Sequence, residues 1–176
     1  IDMETGFERV IVDGEGGKRL YTIGKDGILW QLDPATGKFL SLVETLPQTI
    51  YSSVDRETGK LRYRDDIINA GIGDSITACP GIYGGHNWQA MAYSPEVKAL
   101  VIPLHQLCSD MVGRKVELEL GAGGYGGDSR TYPMPGVDDK LGRLAAWDVQ
   151  DMKELWNVQQ RAMFLTGALT TAGGLA

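Results

Sequence analysis

The sequence predicts an all-β fold of short antiparallel strands, and three observations predict it. Glycine supplies 24 of 176 residues, well above the usual share of roughly 7%; set among scattered Val, Ile, Leu, Tyr and Trp, it is the composition of short strands joined by tight turns. Strand-like runs are punctuated by turn residues at the spacing of a sandwich, barrel or propeller. One segment also recurs. Gly27, Leu29, Asp33, Lys38 and Leu40 return as Gly142, Leu144, Asp148, Lys153 and Leu155 at a constant offset of 115 residues. The shared form, Gly-x-Leu-x-x-x-Asp with a Lys five residues on, suits the outer hairpin of a repeating blade. There the Asp accepts hydrogen bonds from turn backbone and the flanking apolar residues bury between sheets. Such self-similarity points to radial repeats. The expected architecture is a partial β-propeller with under about a tenth of its residues in helix.

The elements follow in order. Arg9 to Asp13 reads as a strand, closed by Gly14-Glu15-Gly16-Gly17. Lys18 to Ile23 is the next, with a turn at Gly24-Lys25-Asp26-Gly27. Ile28 to Asp33 ends at Pro34-Ala35-Thr36-Gly37, and Lys38 to Val43 completes the set. Asp55-Arg56-Glu57-Thr58-Gly59-Lys60 repeats the polar turn chemistry. Trp88 to Tyr93 and Ala99 to Pro103 flank a turn at Ser94-Pro95-Glu96. Gly121 to Pro135 reads as a long Gly/Tyr/Pro loop without a core pattern. Arg143 to Asp148 and Leu155 to Val158 are short strands around a turn, where Asp151-Met152-Lys153-Glu154 could begin a helix too short to stand alone.

Bulk properties exclude several classes. The chain is 43% hydrophobic and 23% charged, long enough for a real core, with no apolar run near the roughly 20 residues that span a bilayer. A formal charge of -6 argues against nucleic acid or an anionic membrane as partner. Ile1-Asp2-Met3-Glu4-Thr5 is not a signal peptide. Both ends of the sequence read as cuts within a longer protein.

Three separated motifs, in order and nearly in spacing, resemble the quinoprotein alcohol dehydrogenases, which use pyrroloquinoline quinone (PQQ). They are Gly-Lys-Asp-Gly-Ile-Leu-Trp (24–30); Cys79, Gly-Gly-His-Asn-Trp (84–88), Tyr-Ser-Pro (93–95) and Cys108; and Trp147-Asp148 to Trp156, followed by the stretch from Gly167 to Leu175. The segment ending at Trp156 is similar to the tryptophan-docking repeat of those propellers. The resemblance covers essentially all of residues 1–176. It implies one piece, about three blades, of a single eight-bladed propeller domain. An open stack of blades leaves sheet faces and edges bare, so the remainder of the same propeller is an expected partner and the piece alone is not expected to be a stable soluble protein.

The resemblance also implies a site. Asp2 falls where the family's general base lies; read alone it is a solvated acid. A carboxylate ionised at working pH can take the alcohol proton. On a strand Glu4 would face the same side as Asp2, so the two could share a calcium or lanthanide ion, or Glu4 is an exposed acid. Lys25 would bring positive charge to the reacting oxygens of the quinone; its bland alternative is a turn lysine in solvent. The Asn87 amide can donate to a quinone oxygen, and Trp88 supplies apolar area and one donor. His86 reads as packing, and His105 is not read as a metal ligand. At Leu165-Thr166-Gly167 the sequence departs from the family's Trp-Gly-Gly, which leaves Leu165 on the cofactor and substrate side. Cysteines at the positions of Cys79 and Cys108 are bonded in the family, implying a disulfide and a periplasmic location; two buried thiols are the alternative.

The implied activity is PQQ-dependent oxidation of an alcohol, and of the aldehyde in turn, with electrons passed to a cytochrome c or a quinone. The rival is a non-catalytic propeller scaffold of the outer-membrane assembly type. Asp2, Lys25 and Asn87 divide the two, because a scaffold has no use for a base, a cation and an amide donor at these positions.

Overall fold

The computed structural model describes residues 3–14, 16–117, 120–121 and 126–176. Among the described residues strand accounts for 44% and helix for 2%, as the glycine-punctuated runs require. The first four strands, β1 (Val10–Gly14), β2 (Gly17–Ile23), β3 (Ile28–Leu32) and β4 (Phe39–Glu44), form one sheet in sequence order. A hairpin follows, β5 (Tyr51–Val54) and β6 (Leu61–Tyr63), then the single helical turn α1 (Asp65–Ile68). Next come β7 (Ser75–Ala78), β8 (Ala92–Ser94), β9 (Ala99–His105), β10 (Leu107–Gly113), β11 (Gly127–Pro133), β12 (Gly142–Asp148) and β13 (Glu154–Gln160). They form a second four-stranded sheet, β8-β9-β12-β13, and a three-stranded sheet, β7-β10-β11. All named pairings are antiparallel. The two four-stranded sheets are propeller blades.

The sequence repeat is a repeat of topology. β3 and β12 each stand third in their blade, and each turns into the outer strand through the same six-residue turn. In the first, Asp33 N–H donates to the Lys38 carbonyl at 2.9 Å, and the Asp33 carboxylate accepts from the Ala35 and Thr36 amides. In the second, Asp148 N–H donates to the Lys153 carbonyl at 2.8 Å, and its carboxylate accepts from the Gln150 and Asp151 amides. Asp55 to Lys60 closes β5–β6 in the same way. The fifth position of each turn is left-handed, with φ of 70° at Gly37, 72° at Gly59 and 54° at Met152. The segment Asp151–Glu154, which could have begun a short helix, instead completes this turn and enters β13.

Alternation along β3 builds the core. Leu29 faces the second blade, in a cluster with Tyr21, Ile23, Leu100, Ile102, Leu104 and Trp147. Ile28 and Trp30 face the other way, against Ile50, Tyr51, Ala78 and Met111. The first blade thus has apolar partners on both faces, and Tyr21 ties it to the second by donating its hydroxyl to the Val149 carbonyl at 2.6 Å.

Two sequence readings are corrected. The expected loop 121–135 contains β11, which pairs with β10 over seven residues. As an edge strand of Asp, Ser, Arg and Thr with little burial, it shows no apolar alternation to read. Trp88 to Tyr93 is strand only from Ala92, because residues 84–91 are committed to loop contacts. Cys79 and Cys108 form a disulfide that joins the end of β7 to β10.

Candidate functional site

Three chain segments meet at the end of the first blade where β1 begins and β2 turns into β3. The turn 24–27 closes through Gly27 N–H donating to the Gly24 carbonyl. Beneath it Asp26 is buried, its carboxylate accepting from the Ile28 amide at 3.1 Å and from the Tyr51 hydroxyl at 3.0 Å. Burial pushes the Asp26 carboxyl above its ordinary range, against those two hydrogen bonds, which favour the ionised form. With Asp26 turned inward, Lys25 is directed to the segment that precedes β1. The Lys25 amide donates to the Glu4 carbonyl at 2.9 Å, and Lys25 Nζ lies 3.0 Å from Glu4 Oε2.

The loop 84–88 rests on the same turn. Gly85 N–H donates to the Lys25 carbonyl at 2.7 Å, and the Gly85 carbonyl accepts from the His105 amide at 2.8 Å. Contact this close requires glycine. Gly84 has φ of +78°, and a Cβ there would lie 2.7 Å from Lys25 Cγ and 2.8 Å from its Cα. Asn87 donates its amide to the Tyr83 carbonyl and accepts from the Trp88 amide, both at 2.9 Å, so one of its N–H bonds is used within the loop. Trp88 is 63% exposed. The stretch around Leu165 lies alongside. His105 Nε2 is 3.1 Å from the Phe164 carbonyl, and the Ala168 amide donates to the Ala90 carbonyl at 2.8 Å. Leu165 itself is exposed.

Lys25, Glu4 and the Asn87–Trp88 loop are thus brought together, with the Leu165 stretch beside them. Asp2, the expected base, lies outside the described residues. Two residues that sequence reasoning set aside belong to the same place: Glu8, which it passed over, and His86, which it read as packing. His86 is fully buried and 3.5 Å from Glu8 Oε1 through Nε2. Only the position of Glu8 between an apolar strand and an acidic start hinted at a partner.

The donor set has a definite chemistry. An ammonium, an amide with a second N–H, and an open indole face suit a flat ligand carrying carboxylate or quinone oxygens. It does not by itself suit a metal. Among the described residues no group of three or more His, Cys, Asp and Glu side chains could hold an ion, and the expected metal ligand Glu4 is paired with Lys25. Two cavities of about 370 Å³ lie elsewhere, one over β7, β10 and β11, the other between β12 and residues 164–176. The candidate site is instead at the blade ends, where Glu4, Trp88 and Leu165 are exposed and Lys25 is buried.

No protein-family profile matches the chain. Lupanine 17-hydroxylase [cytochrome c] of a Pseudomonas species is 34% identical over 167 residues, which is 93% of this chain and 23% of that protein. The dehydrogenase subunit of a quinone-type alcohol dehydrogenase of Gluconacetobacter polyoxogenes is 30% identical over 175 residues, 93% of this chain and 24% of that protein. Among solved structures, a europium-containing methanol dehydrogenase superposes with a TM-score of 0.87 at 21% identity, covering 98% of this chain and 31% of that one. The quinohemoprotein alcohol dehydrogenase of Comamonas testosteroni does so with 0.74 at 27% identity, covering 94% and 26%. Sequence and fold agree: the chain is related to the quinoprotein alcohol dehydrogenases and spans about a quarter of the length of the curated relatives it matches.

Proposed function

We propose that residues 1–176 are part of a single propeller domain that oxidises an alcohol with PQQ and passes the electrons to a cytochrome c or a quinone. The observation that supports this reading is the packing of Gly84 and Gly85 onto Lys25, which sets the loop carrying Asn87 and Trp88 against the turn carrying the ammonium. Bound there, PQQ supplies a two-electron acceptor for the hydride leaving the alcohol. Lys25 holds positive charge for the quinone oxygens, where charge develops on reduction. Asn87 offers its remaining N–H, Trp88 offers a flat apolar face, and Leu165 borders the alcohol. Asp2 is assigned the hydroxyl proton. Glu4 keeps Lys25 in place; a calcium or lanthanide ion would draw most of its ligands from outside the described residues, so no step is assigned to one. The Cys79–Cys108 disulfide favours an oxidising compartment, the periplasm.

The test is reconstitution of the full-length protein with PQQ, an alcohol panel and an artificial electron acceptor. Dye reduction is expected, with Lys25→Ala lowering turnover by about 10²–10³, the usual scale for one electrostatic donor. Asp2→Asn should abolish turnover while PQQ stays bound. Failure of the parent protein both to bind PQQ and to reduce the dye would reject the enzyme and leave the scaffold reading.

A further inference from the structure

Residues 3–9 cross from the candidate site to β1 without joining a sheet, yet they hold a defined path. Arg9 curls this strap by donating its guanidinium to the Thr5 carbonyl at 2.7 Å and to those of Phe7 and Glu8. Glu4 anchors one end on Lys25. At the other end Glu8 Oε1 accepts from the Met91 amide at 2.7 Å and faces His86 Nε2 at 3.5 Å, while the Phe7 ring meets the His86 ring edge-on. Among the described residues the buried Nε2 has no closer hydrogen-bond partner.

We infer that Glu8 and His86 form a clasp that positions the strap carrying Glu4 against the loop carrying Asn87 and Trp88, and so holds the two walls of the proposed cofactor site at a fixed separation. The hydrogen bonds around the ring give the clasp its chemistry. His86 Nδ1 lies 2.9 Å from the Pro103 carbonyl, which can only accept, so Nδ1 carries a proton. An ionised Glu8 can also only accept. Glu8 Oε1 and His86 Nε2 thus face each other with the carboxylate held by the Met91 amide and the ring held by the Pro103 carbonyl. Burial of Glu8 raises its carboxyl, but the facing His86 ring and the hydrogen bond from the Met91 amide outweigh that and hold it below the ordinary range. The other titratable ring at this place is His105, which burial pushes down and whose Nε2 meets the Phe164 carbonyl. Arg9 and Lys25 are the charged groups on the adjoining segments.

The role in turnover rests on the function proposed above; the clasp itself does not. Glu8→Ala and Glu8→Gln separate the two in the full-length protein. Glutamine still accepts from Met91 and can donate to His86 Nε2, so it keeps the clasp. Amide hydrogen exchange at Met91 and Lys25 reads the strap directly. Expected are exchange about tenfold or more faster in Glu8→Ala and near-parent exchange in Glu8→Gln. PQQ retention and turnover should follow the same order. Parent-like exchange in Glu8→Ala overturns the clasp, and so does fast exchange in Glu8→Gln, a comparison that stands if Glu8→Ala does not fold. A clasp seen by exchange with unchanged turnover in Glu8→Ala overturns its positioning role. A parent that neither binds PQQ nor turns over rejects the proposed function, while exchange still decides the clasp.

Discussion

At the residue scale, spacing in the candidate site is set by the contact between Gly84 and Lys25. Alanine at 84 combines a φ of +78° with a Cβ 2.6 Å from the His86 carbonyl oxygen and 2.7–2.8 Å from Lys25. Gly84→Ala should cost about 1–3 kcal/mol in denaturant unfolding and weaken PQQ retention. Gly27→Ala has a similar φ of +71° but no neighbour nearer than 3.7 Å, so it should cost only about 1 kcal/mol. Equal costs at the two positions would contradict the contact. Asp26 makes a prediction with a sign. Its folded pKa is raised, so its favourable contribution is fully present below the unfolded value and is lost as pH rises through the folded one. The Asp26→Asn side chain would keep an acceptor for the Ile28 amide and does not titrate. Between about pH 4 and pH 7 the melting temperature of the parent should therefore fall relative to that of Asp26→Asn; parallel curves would refute it.

At the scale of elements, legibility followed the hydrogen-bond chemistry of the turns. Asp33 and Asp148 could be matched from sequence because each must carry its turn backbone on one carboxylate. That demand survives in Asp148 to Lys153 even with Met152 at the left-handed position. Strands β1 to β4 were legible for the same reason, since glycine turns bound them and their apolar residues alternate. β11 was not, because an exposed polar edge strand is specified by its partner rather than by its own pattern. β10 was hidden differently. Only Gln106 separates it from β9, and the change of sheet depends on distant bonds, with Gln106 donating to Leu141 and Lys140 carbonyls. Glu8 and His86 were illegible as a pair because they stand 78 positions apart in the chain. The turns themselves can be graded. Gly37 has open space around its missing Cβ, whereas a Cβ on Gly59 would lie 2.7 Å from the Phe39 ring. Gly37→Ala should cost about 1 kcal/mol, and Gly59→Ala visibly more, as read by urea midpoints.

At the scale of the whole molecule, the disulfide and the surface make opposite contributions to stability. Cys79–Cys108 spans a sequence separation of 29, for which loop closure gives about 3–4 kcal/mol, so Cys108→Ser should lower the unfolding free energy by that order. The surface is more open than the chain length warrants. A compact monomer of 19.1 kDa exposes about 8,400 Å², against 9828 Å² here. Part of the exposed apolar surface lies on the outer strand β13 and the chain after it. Leu155, Trp156 and Val158 are 50%, 41% and 57% exposed, and Leu165, Leu169 and Leu175 are 53%, 75% and 72% exposed. β13 also has a free edge, since among the described residues it pairs only with β12. A free strand edge beside apolar side chains is a template for association. In a closed propeller the remainder of the same chain would cover this face, in keeping with the quarter of each relative that these residues match. Residues 1–176 expressed alone should therefore elute as oligomers or aggregate at micromolar concentration. Replacing Leu155 and Val158 by Lys should shift that population towards monomer, whereas the same pair of changes in the full-length protein should destabilise it, by about 1.5–3 kcal/mol for each apolar side chain no longer buried. A monomeric isolated piece, with full-length protein indifferent to the two lysines, would show that this face is solvent-exposed in the native molecule.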